Sequence, residues 1–442
     1  MKRCCAFLIP LALLTAMSAA DDVRALVAQK IDADYGSLRA FYVDLHEHPE
    51  LSLMETRTSA KVADELRAAG FEVSTNVGGH GVVAVLRNGP GPTVLFRSDM
   101  DALPVAEETG LPYASHVVTK DMTGREVAVM HACGHDIHMT SLVGSARVLA
   151  SLKDHWSGTV VLIGQPAEER GLGAKAMLDD GLFTRFPRPD FALALHDSAT
   201  LPAGVIGMVE GNIMANVDWV DITVKGVGGH GAYPHATKDP IVLSARIILA
   251  LQTIVSRETP ATEPCVVTVG SIHGGAKANV IPDEVKLQLT LRSYSDSVRA
   301  HTIEAIQRIC LGEAMAAGMP EDRMPVVTVI DGEATPATYN TPELTRRLRV
   351  AITAWVGPDH VVTTQAEMAG EDFSRFGRTP EKIPLCLFRV GAADPAKVAE
   401  SARTGVPLPP LHSSHFAPVP EPTIKAAINA TVAAVLNLLP KS

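Results

Sequence analysis

The chain has 442 residues, of which 46% are hydrophobic and 20% charged, a balance typical of soluble globular proteins rather than disordered chains or coiled coils. Its formal net charge of -10 and its lack of a long basic block argue against nucleic acid as a partner. At about 150 residues per domain, the length predicts two or three domains and a core that needs no disulfide bonds.

The first twenty residues have the composition of a secretory signal. Lys2 and Arg3 precede a nearly continuous apolar run over residues 4–17, and the small residues 18–20 follow it. The run is shorter than the ~20 apolar residues that a membrane span requires. We therefore predict a signal peptide over residues 1–20, export to the periplasm or the medium, and no stable membrane anchor.

The next part of the chain alternates helical and strand patterns. Apolar residues at helical spacing predict helices over 23–45, 59–66, 140–152 and 174–178. Short apolar runs predict buried strands over 82–86, 93–96, 159–163 and 191–195. This alternation indicates an open α/β sheet, whose ligands lie at the carboxyl ends of its strands.

The order of the predicted helices and strands changes between residues 212 and 331. The predicted order is strand 219–224, helix 240–256, strands 265–272 and 284–291, helix 296–315 and strand 325–330, a βαββαβ order that is ferredoxin-like. Helices over 343–355 and 424–438 and a strand over 385–390 then follow.

The predicted fold class is therefore α/β, with a split catalytic domain whose mixed open sheet is flanked by helices, plus an inserted ferredoxin-like α+β satellite domain. The predicted boundaries are 1–20 for the signal peptide, 21–212 and 332–442 for the two parts of the catalytic domain, and 213–331 for the satellite domain.

Side chains able to bind metals follow several predicted strands. Cys133 and His135 stand two residues apart, with a flexible glycine between them, so both can turn toward one ion. Glu168 and Glu169 are adjacent in extended chain and point in different directions, so one can bind a metal while the other moves a proton. Asp101, His196 and His412 follow other strands, and we expect all of these groups at one edge of the sheet.

A resemblance to a known family rests on seven segments, in order RSDMDALPV, MHACGHDIHM, QPAEE, GGHGAYPH, NVIPDE, MAGEDF and LHSSHF. They resemble the signature segments of the M20 metallopeptidases, specifically the aminoacylase-like amidohydrolase branch. That branch includes hippurate hydrolases, N-acyl amino acid amidohydrolases and hydrolases of indole-acetic acid conjugates.

The resemblance implies a site with two divalent metal ions. Cys133 would be the bridging thiolate, and the other implied ligands are His135, Glu169, His196 and His412. Glu168 matches the general base, and Asp101 matches a carboxylate that orients a ligand. The mix of thiolate, imidazole and carboxylate suits Zn or Mn, with Co or Ni also compatible.

The satellite domain supplies further candidates. His230 resembles the family's histidine that enters a partner's active site and hydrogen-bonds the developing oxyanion, which implies a homodimer or a higher homo-oligomer. We assign Asn279 and Arg292 to the carboxylate of the substrate, and His235 to substrate binding. The alternatives are that Asn279 shapes a turn, that Arg292 is a surface strand residue and that His235 caps a loop.

The predicted function is that of a metal-dependent hydrolase cleaving the amide bond of N-acyl or N-aroyl amino acids. A carboxypeptidase or dipeptidase using the same site is the first alternative. A homologue that binds metal or ligand without turnover is the alternative of another class. Glu168 argues against the latter, because a binding protein has no need for a base beside a metal-binding carboxylate.

Overall fold

The structure, a computed structural model, describes residues 11–330, 332 and 334–441. Residues 1–10 of the predicted signal peptide and the predicted domain boundary at residue 331 lie outside the described residues. The α-helices are α1 (Leu11–Glu47), α2 (Thr56–Ala68), α3 (His135–Ser151), α4 (Gly173–Asp179), α5 (Leu182–Arg185), α6 (Pro240–Thr253), α7 (Asp296–Ala316), α8 (Pro342–Val356), α9 (Ser374–Gly377), α10 (Pro395–Thr404) and α11 (Pro420–Leu438).

The strands fall into two large sheets and several two-stranded ribbons. They are β1 (Glu72–Val77), β2 (Gly81–Asn88), β3 (Thr93–Asp99), β4 (Val118–Lys120), β5 (Glu126–Ala128), β6 (Gly158–Gln165), β7 (Phe191–Pro202), β8 (Ile206–Met208), β9 (Gly211–Met214), β10 (Asn216–Lys225), β11 (Gly229–His230), β12 (Cys265–His273), β13 (Val280–Ile281), β14 (Glu284–Ser293), β15 (Val326–Val329), β16 (Thr338–Asn340), β17 (Val361–Thr363) and β18 (Leu385–Ala393).

The larger sheet has the strand order β1-β2-β6-β3-β7-β18-β8-β17. Its central strands β6, β3, β7 and β18 are parallel, whereas β1, β2 and β8 pair antiparallel with their neighbours. One face packs under α1, α3, α8 and α11, and the other carries a smaller apolar core that includes α4 and α9. The predicted mixed open sheet flanked by helices is confirmed, and its parallel strands end at one edge.

The second sheet has the order β12-β14-β10-β15, with every pair antiparallel. This is the strand order of a ferredoxin-like βαββαβ unit, so the satellite domain of the predicted fold class is confirmed. Along β10 the side chains alternate: Val220, Ile222 and Val224 are buried with α6 and α7, while Trp219 on the other face is 43% exposed.

Helix α6 continues through a π-helical turn, Ile254–Glu258. Among the described residues, Pro240–Glu258 is the one helix long and apolar enough, by length and composition, to cross a membrane. Core helices of soluble proteins pass the same test, and Leu243, Ile247 and Leu251 of this helix pack into the satellite core.

Several elements differ from the predicted ones. Strand β7 continues to Pro202 instead of ending at residue 195, because β18 pairs with it past His196. Helix α3 begins at His135, five residues before the predicted start at residue 140. Helix α10 was not predicted, and none of its residues is buried.

Candidate metal centre

The predicted metal-binding side chains come from four separate segments of the chain. Cys133 lies two residues before α3 and His135 begins this helix, Glu169 lies four residues after the end of β6, His196 lies on β7, and His412 lies in the loop before α11. Because the central strands run parallel, these segments meet at the same edge of the sheet.

A left-handed glycine shapes the first of these segments. Gly134 has a φ of +80°, and a Cβ there would lie 2.4 Å from Asp197 Oδ2, so only glycine fits. The turn leaves Cys133 Sγ 3.6 Å from His196 Nε2 and 3.3 Å from His412 Nε2. One sulfur therefore faces two imidazole nitrogens.

Glu169 completes the cluster. Its Oε2 lies 3.5 Å from His412 Nε2, and its Oε1 lies 3.8 Å from His135 Nε2. His135 Nε2 and Glu169 Oε1 are buried and have no hydrogen-bond partner among the described residues. Two ligands of one tetrahedral ion, each about 2.0 to 2.3 Å from it, lie about 3.3 to 3.8 Å apart. The spacing and the unpartnered atoms therefore fit cations held between these side chains.

Backbone carbonyls orient two of the imidazole rings. His135 Nδ1 donates to the carbonyl oxygen of Asp101 at 2.7 Å, and His196 Nδ1 donates to that of Asp197 at 2.8 Å. Each bond places a proton on Nδ1, so that in the neutral ring Nε2 carries the lone pair and is directed into the cluster. This is the usual arrangement of a metal-binding histidine.

The carboxylate of Asp101 holds the glutamate pair in place. It accepts the backbone N–H groups of Glu168 and Glu169 at 3.1 and 3.0 Å and the hydroxyl of Ser52 at 2.5 Å. Asp101 was predicted to orient a ligand with its carboxylate. The structure places that carboxylate on the backbone of Glu169 and 3.4 Å from His135 Nδ1, next to two of the predicted ligands.

Burial makes the anionic forms of these donors costly. It raises the pKa of the Cys133 thiol well above its usual range, and the neighbouring Glu169 adds to the effect. Burial also raises the pKa of Glu169 to about 8. The thiolate and the carboxylate that bind metals are therefore unfavourable here unless cations neutralise them, as in sites whose ligands ionise when metal binds.

Glu168 stands beside the cluster on the wall of a cavity. Its carboxyl group approaches Glu371 and Asp372, with oxygens of all three within 4.8 Å of one another. Burial raises the pKa of Glu168 well above its usual range, and the charge of Glu371 adds to this. A partly buried carboxyl group that can both take up and release a proton suits general acid-base chemistry.

The sequence did not predict the buried guanidinium group of Arg97, which lies next to Glu371 and Asp372. Arg97 on β3 donates from Nη1 to Asp99 at 2.6 Å, from Nη2 to Glu371 at 2.8 Å and to Asp372 at 3.2 Å, and from Nε to Gln165 at 3.0 Å. A charged residue inside an otherwise buried strand was the available signal, together with the acidic pair in MAGEDF.

Two further buried histidines that were not predicted connect the surrounding elements. His138 Nδ1 donates to Asp99 at 2.6 Å, and its Nε2 accepts the backbone N–H of Asp197 at 2.9 Å. His46 of α1 lies 2.6 Å from Asp136 of α3. These bonds tie β3, α3, β7 and α1 together around the cluster.

The cavity beside the cluster has a volume of about 660 Å³. Cys133, Glu168 and His412 line one side, and Trp219 and Arg292 of the satellite sheet line the other. The site therefore lies between the two sheets, with donors on one wall and an aromatic ring and a guanidinium group on the other.

The other satellite candidates do not reach this cavity in the same chain. Arg292 lines it and donates from Nη1 to the carbonyl of Met368 at 2.8 Å. His230 on β11, His235 and Asn279 are exposed and lie outside the cavity lining.

The sequence profile of peptidase family M20/M25/M40 matches residues 95–404, which carry most of the site. The chain belongs to this family. The match confirms the predicted resemblance, and together with the cluster of thiol, imidazole and carboxyl groups it identifies a metal-dependent amidohydrolase.

Individual M20 relatives differ in the substrates that their names state. Thermostable carboxypeptidase 1 of Saccharolobus solfataricus is 38% identical over 376 residues, which are 84% of this chain and 88% of the relative. The hippurate hydrolase of Campylobacter jejuni is 40% identical over 273 residues, which are 62% of this chain and 68% of the relative.

A solved Bacillus subtilis structure, described as a dinuclear metal-binding peptidase from the M20 family, superposes with a TM-score of 0.73 at 28% identity. The superposition covers 91% of this chain and 98% of the other. The shared fold thus extends over nearly all of this chain.

Proposed function

We propose that this M20 amidohydrolase cleaves the amide bond of N-acyl or N-aroyl amino acids, using a pair of divalent cations. The observation that carries the proposal is that five side chains able to bind metal meet around one space, beside the carboxyl group of Glu168. The five residues are Cys133, His135, Glu169, His196 and His412. Zn or Mn suits this donor set, with Co or Ni as alternatives.

The cations would supply Lewis acidity toward the amide carbonyl and lower the pKa of a water molecule. Glu168 takes the proton of the attacking water and returns it to the nitrogen of the departing amine, which needs a proton to leave. The hydrogen bond from the Glu168 backbone to Asp101 fixes the start of this side chain. Arg292 binds the carboxylate of the amino acid across the cavity.

Hydrolysis of N-benzoylglycine by the wild type and by Glu168→Gln tests this function. We expect the variant to lose about 10³-fold in kcat while elemental analysis finds its cations retained. Glu210→Gln is the matched control, because Glu210 pairs with Arg346 at the surface, and it should keep full activity. Full activity of Glu168→Gln, or a wild type inactive on every N-acyl amino acid, would refute the proposal.

A peptidase activity is the second candidate, and the carboxypeptidase relative favours it. The two functions share the metal site and differ in what the cavity accepts on the acyl side. Comparing kcat/KM for N-benzoylglycine and for dipeptides of glycine decides between them. We expect the N-benzoyl compound to be preferred, and a preference for the dipeptides would make the protein a dipeptidase.

We further propose a homodimer in which His230 completes the partner's site. Ile241, Val242 and Leu249 of α6 are exposed apolar residues on the satellite domain, and they support burial against a second copy. His230 lies exposed on the same domain, where it would reach a partner's oxyanion.

Mixing two inactive variants tests this arrangement. Glu168→Gln and His230→Ala chains, refolded together, should regain activity, because a mixed dimer contains one site with both groups intact. Absence of recovery, or a monomer in light scattering, would contradict the role of His230 in a partner.

Export is the last part of the proposal, supported by the composition of residues 1–20. Protein sequencing of the product from an expressing bacterium should find Asp21 at the N-terminus, in the periplasm or the medium. A cytoplasmic product that begins at Met1 would contradict it.

A further inference from the structure

A second guanidinium group lies in the cavity wall and has no role in the mechanism above. Arg389 is on β18, lines the cavity and is only 2% exposed. Strand β18 pairs in parallel with β7 so that Arg389 stands directly beside His196. Since paired residues of neighbouring strands project to the same face, the guanidinium group lies next to the metal-binding cluster.

The hydrogen bonding of Arg389 is incomplete. Its Nη2 donates to Glu367 Oε2 at 2.9 Å, but its Nε and Nη1 donate to no group within the described part of the chain. Burying a guanidinium group is costly unless its N–H groups find acceptors. The remaining donors therefore favour an acceptor that arrives from the cavity.

The partner of Arg389 is weakly placed to neutralise it. The side chain of Glu367 is 48% exposed, whereas that of Arg389 is 3% exposed. Water screens an exposed carboxylate, so such a pair contributes little attraction. By contrast, the buried Arg97 has three buried carboxylates around it. Arg389 thus resembles a binding residue more than a structural one.

Arg292 stands on the opposite wall of the same cavity, on the satellite sheet. The cavity therefore contains two guanidinium groups on different walls, and Arg292 alone accounts for the carboxylate that every N-acyl amino acid carries. A guanidinium group binds a carboxylate through two parallel hydrogen bonds, and Arg389 retains donors for such a contact.

We propose that Arg389 binds a second carboxylate of the substrate, so that the preferred substrates are N-acyl amino acids with two anionic groups. This inference rests on the proposed function and specifies its substrate class. The second carboxylate has two chemical sources, an acyl group derived from a dicarboxylic acid or an acidic amino acid. Both present the same group to Arg389.

Two isosteric substrate pairs separate these sources. N-succinylglycine and N-succinamoylglycine differ in a carboxylate on the acyl side, and N-benzoylglutamate and N-benzoylglutamine differ in one on the amino acid side. We expect the wild type to prefer the charged member of one pair by about 30-fold in kcat/KM, the effect of one charge-assisted hydrogen-bonded contact. The pair that shows the preference identifies the source.

Arg389→Gln should abolish that preference mainly by raising KM for the charged member, while the neutral member changes by less than about threefold. The matched control is Arg346→Gln, which removes an exposed arginine from a similar 3.0 Å pair with Glu210 and should leave the preference intact. A preference that survives Arg389→Gln, or an equal loss for both members, would overturn the proposal.

Glu367→Gln keeps the test decisive if Arg389→Gln fails to fold. Glu367 lines the cavity, so removing its charge takes away a carboxylate that would repel the second carboxylate of the substrate. The preference for the charged member should rise severalfold, with Glu210→Gln as the control, and an unchanged preference would overturn the proposal. Failure to hydrolyse any of the four compounds would instead refute the proposed function, whereas turnover without a charge preference refutes only this inference.

Discussion

The two walls of the cavity are built differently. On the side of the large sheet, most polar groups are buried and held by the fold itself, with the His412 side chain, 55% exposed, as an exception: Asp101 fixes the glutamate pair, and Arg97 binds three carboxylates. On the satellite side, Trp219 is 43% exposed, and His230 and Asn279, which lie outside the cavity lining, are exposed. The first wall is complete within one chain, whereas the second is exposed for contact with a substrate or a second chain.

This difference separates catalysis and metal binding from recognition. Proton transfer and metal binding need atoms held to within a fraction of an ångström, which buried hydrogen bonds on rigid strands provide. Recognition of a substrate or of a second chain needs surface that is exposed before contact. We therefore expect variants of the sheet wall to affect stability and turnover, and variants of the satellite wall to affect KM.

Arg97→Met should show the largest effect. It leaves Asp99, Glu371 and Asp372 buried without their shared cation, which costs about 3 to 5 kcal/mol of unfolding free energy. Urea denaturation measures this loss, and it should shrink as the pH falls because the carboxylates can then be protonated. Arg346→Gln at the surface should lose less than about 1 kcal/mol. Equal losses for the two variants would mean that the buried network stabilises the fold no more than a surface ion pair does.

Gly134→Ala should rank second. The added Cβ would meet Asp197 Oδ2 at 2.4 Å, and the φ of +80° is unfavourable for alanine, so we expect a loss of about 2 to 3 kcal/mol and at least 100-fold in kcat. Gly405→Ala distinguishes the effect of backbone strain from that of a steric clash, because Gly405 has a φ of +76° with open space around it. That control should lose about 1 kcal/mol and keep its kcat. A Gly134→Ala enzyme with normal kcat would refute the importance of this turn.

Arg292→Gln tests the satellite wall. It should raise KM for N-benzoylglycine by about 10- to 30-fold with little change in kcat or in the unfolding transition, because one charge-assisted contact to the substrate carboxylate is lost. A fall in kcat at constant KM would instead assign Arg292 to the chemistry, and the contrast between the walls would break down.

Trp219→Ala should have the smallest effect. The ring is part of the cavity lining but 43% exposed, so its loss should raise KM for N-benzoyl substrates about three- to tenfold and that for N-acetyl substrates less. Equal changes for both acyl groups would show that the ring does not contact the acyl side.

The sequence predicted most of the sheet wall because strand ends in a parallel sheet converge. Cys133, His135, Glu169 and His196 follow from that rule, and the structure brings them together with His412 from almost 300 residues further along the chain than Cys133. Local pattern marked Arg97 and Arg389 only as charged residues in or next to buried strands, and it could not reveal their roles because their partners come from other parts of the chain.

The satellite wall was less predictable. Arg292 lies in the cavity as expected, but nothing in the local sequence of His230 or Asn279 says whether a second chain covers them. Their positions within the fold follow from the βαββαβ order, whereas their role depends on an interface that one chain does not contain.

The most direct test of the account is the metal content of the purified protein after incubation with Zn or Mn and removal of the unbound ions. We predict two ions per chain for the wild type and for Cys265→Ser, whose thiol lies in the satellite domain. Cys133→Ser should lose at least one ion, because its sulfur faces both His196 and His412. A wild type that hydrolyses N-benzoylglycine without bound metal, or a Cys133→Ser variant with unchanged metal content, would contradict the central claim.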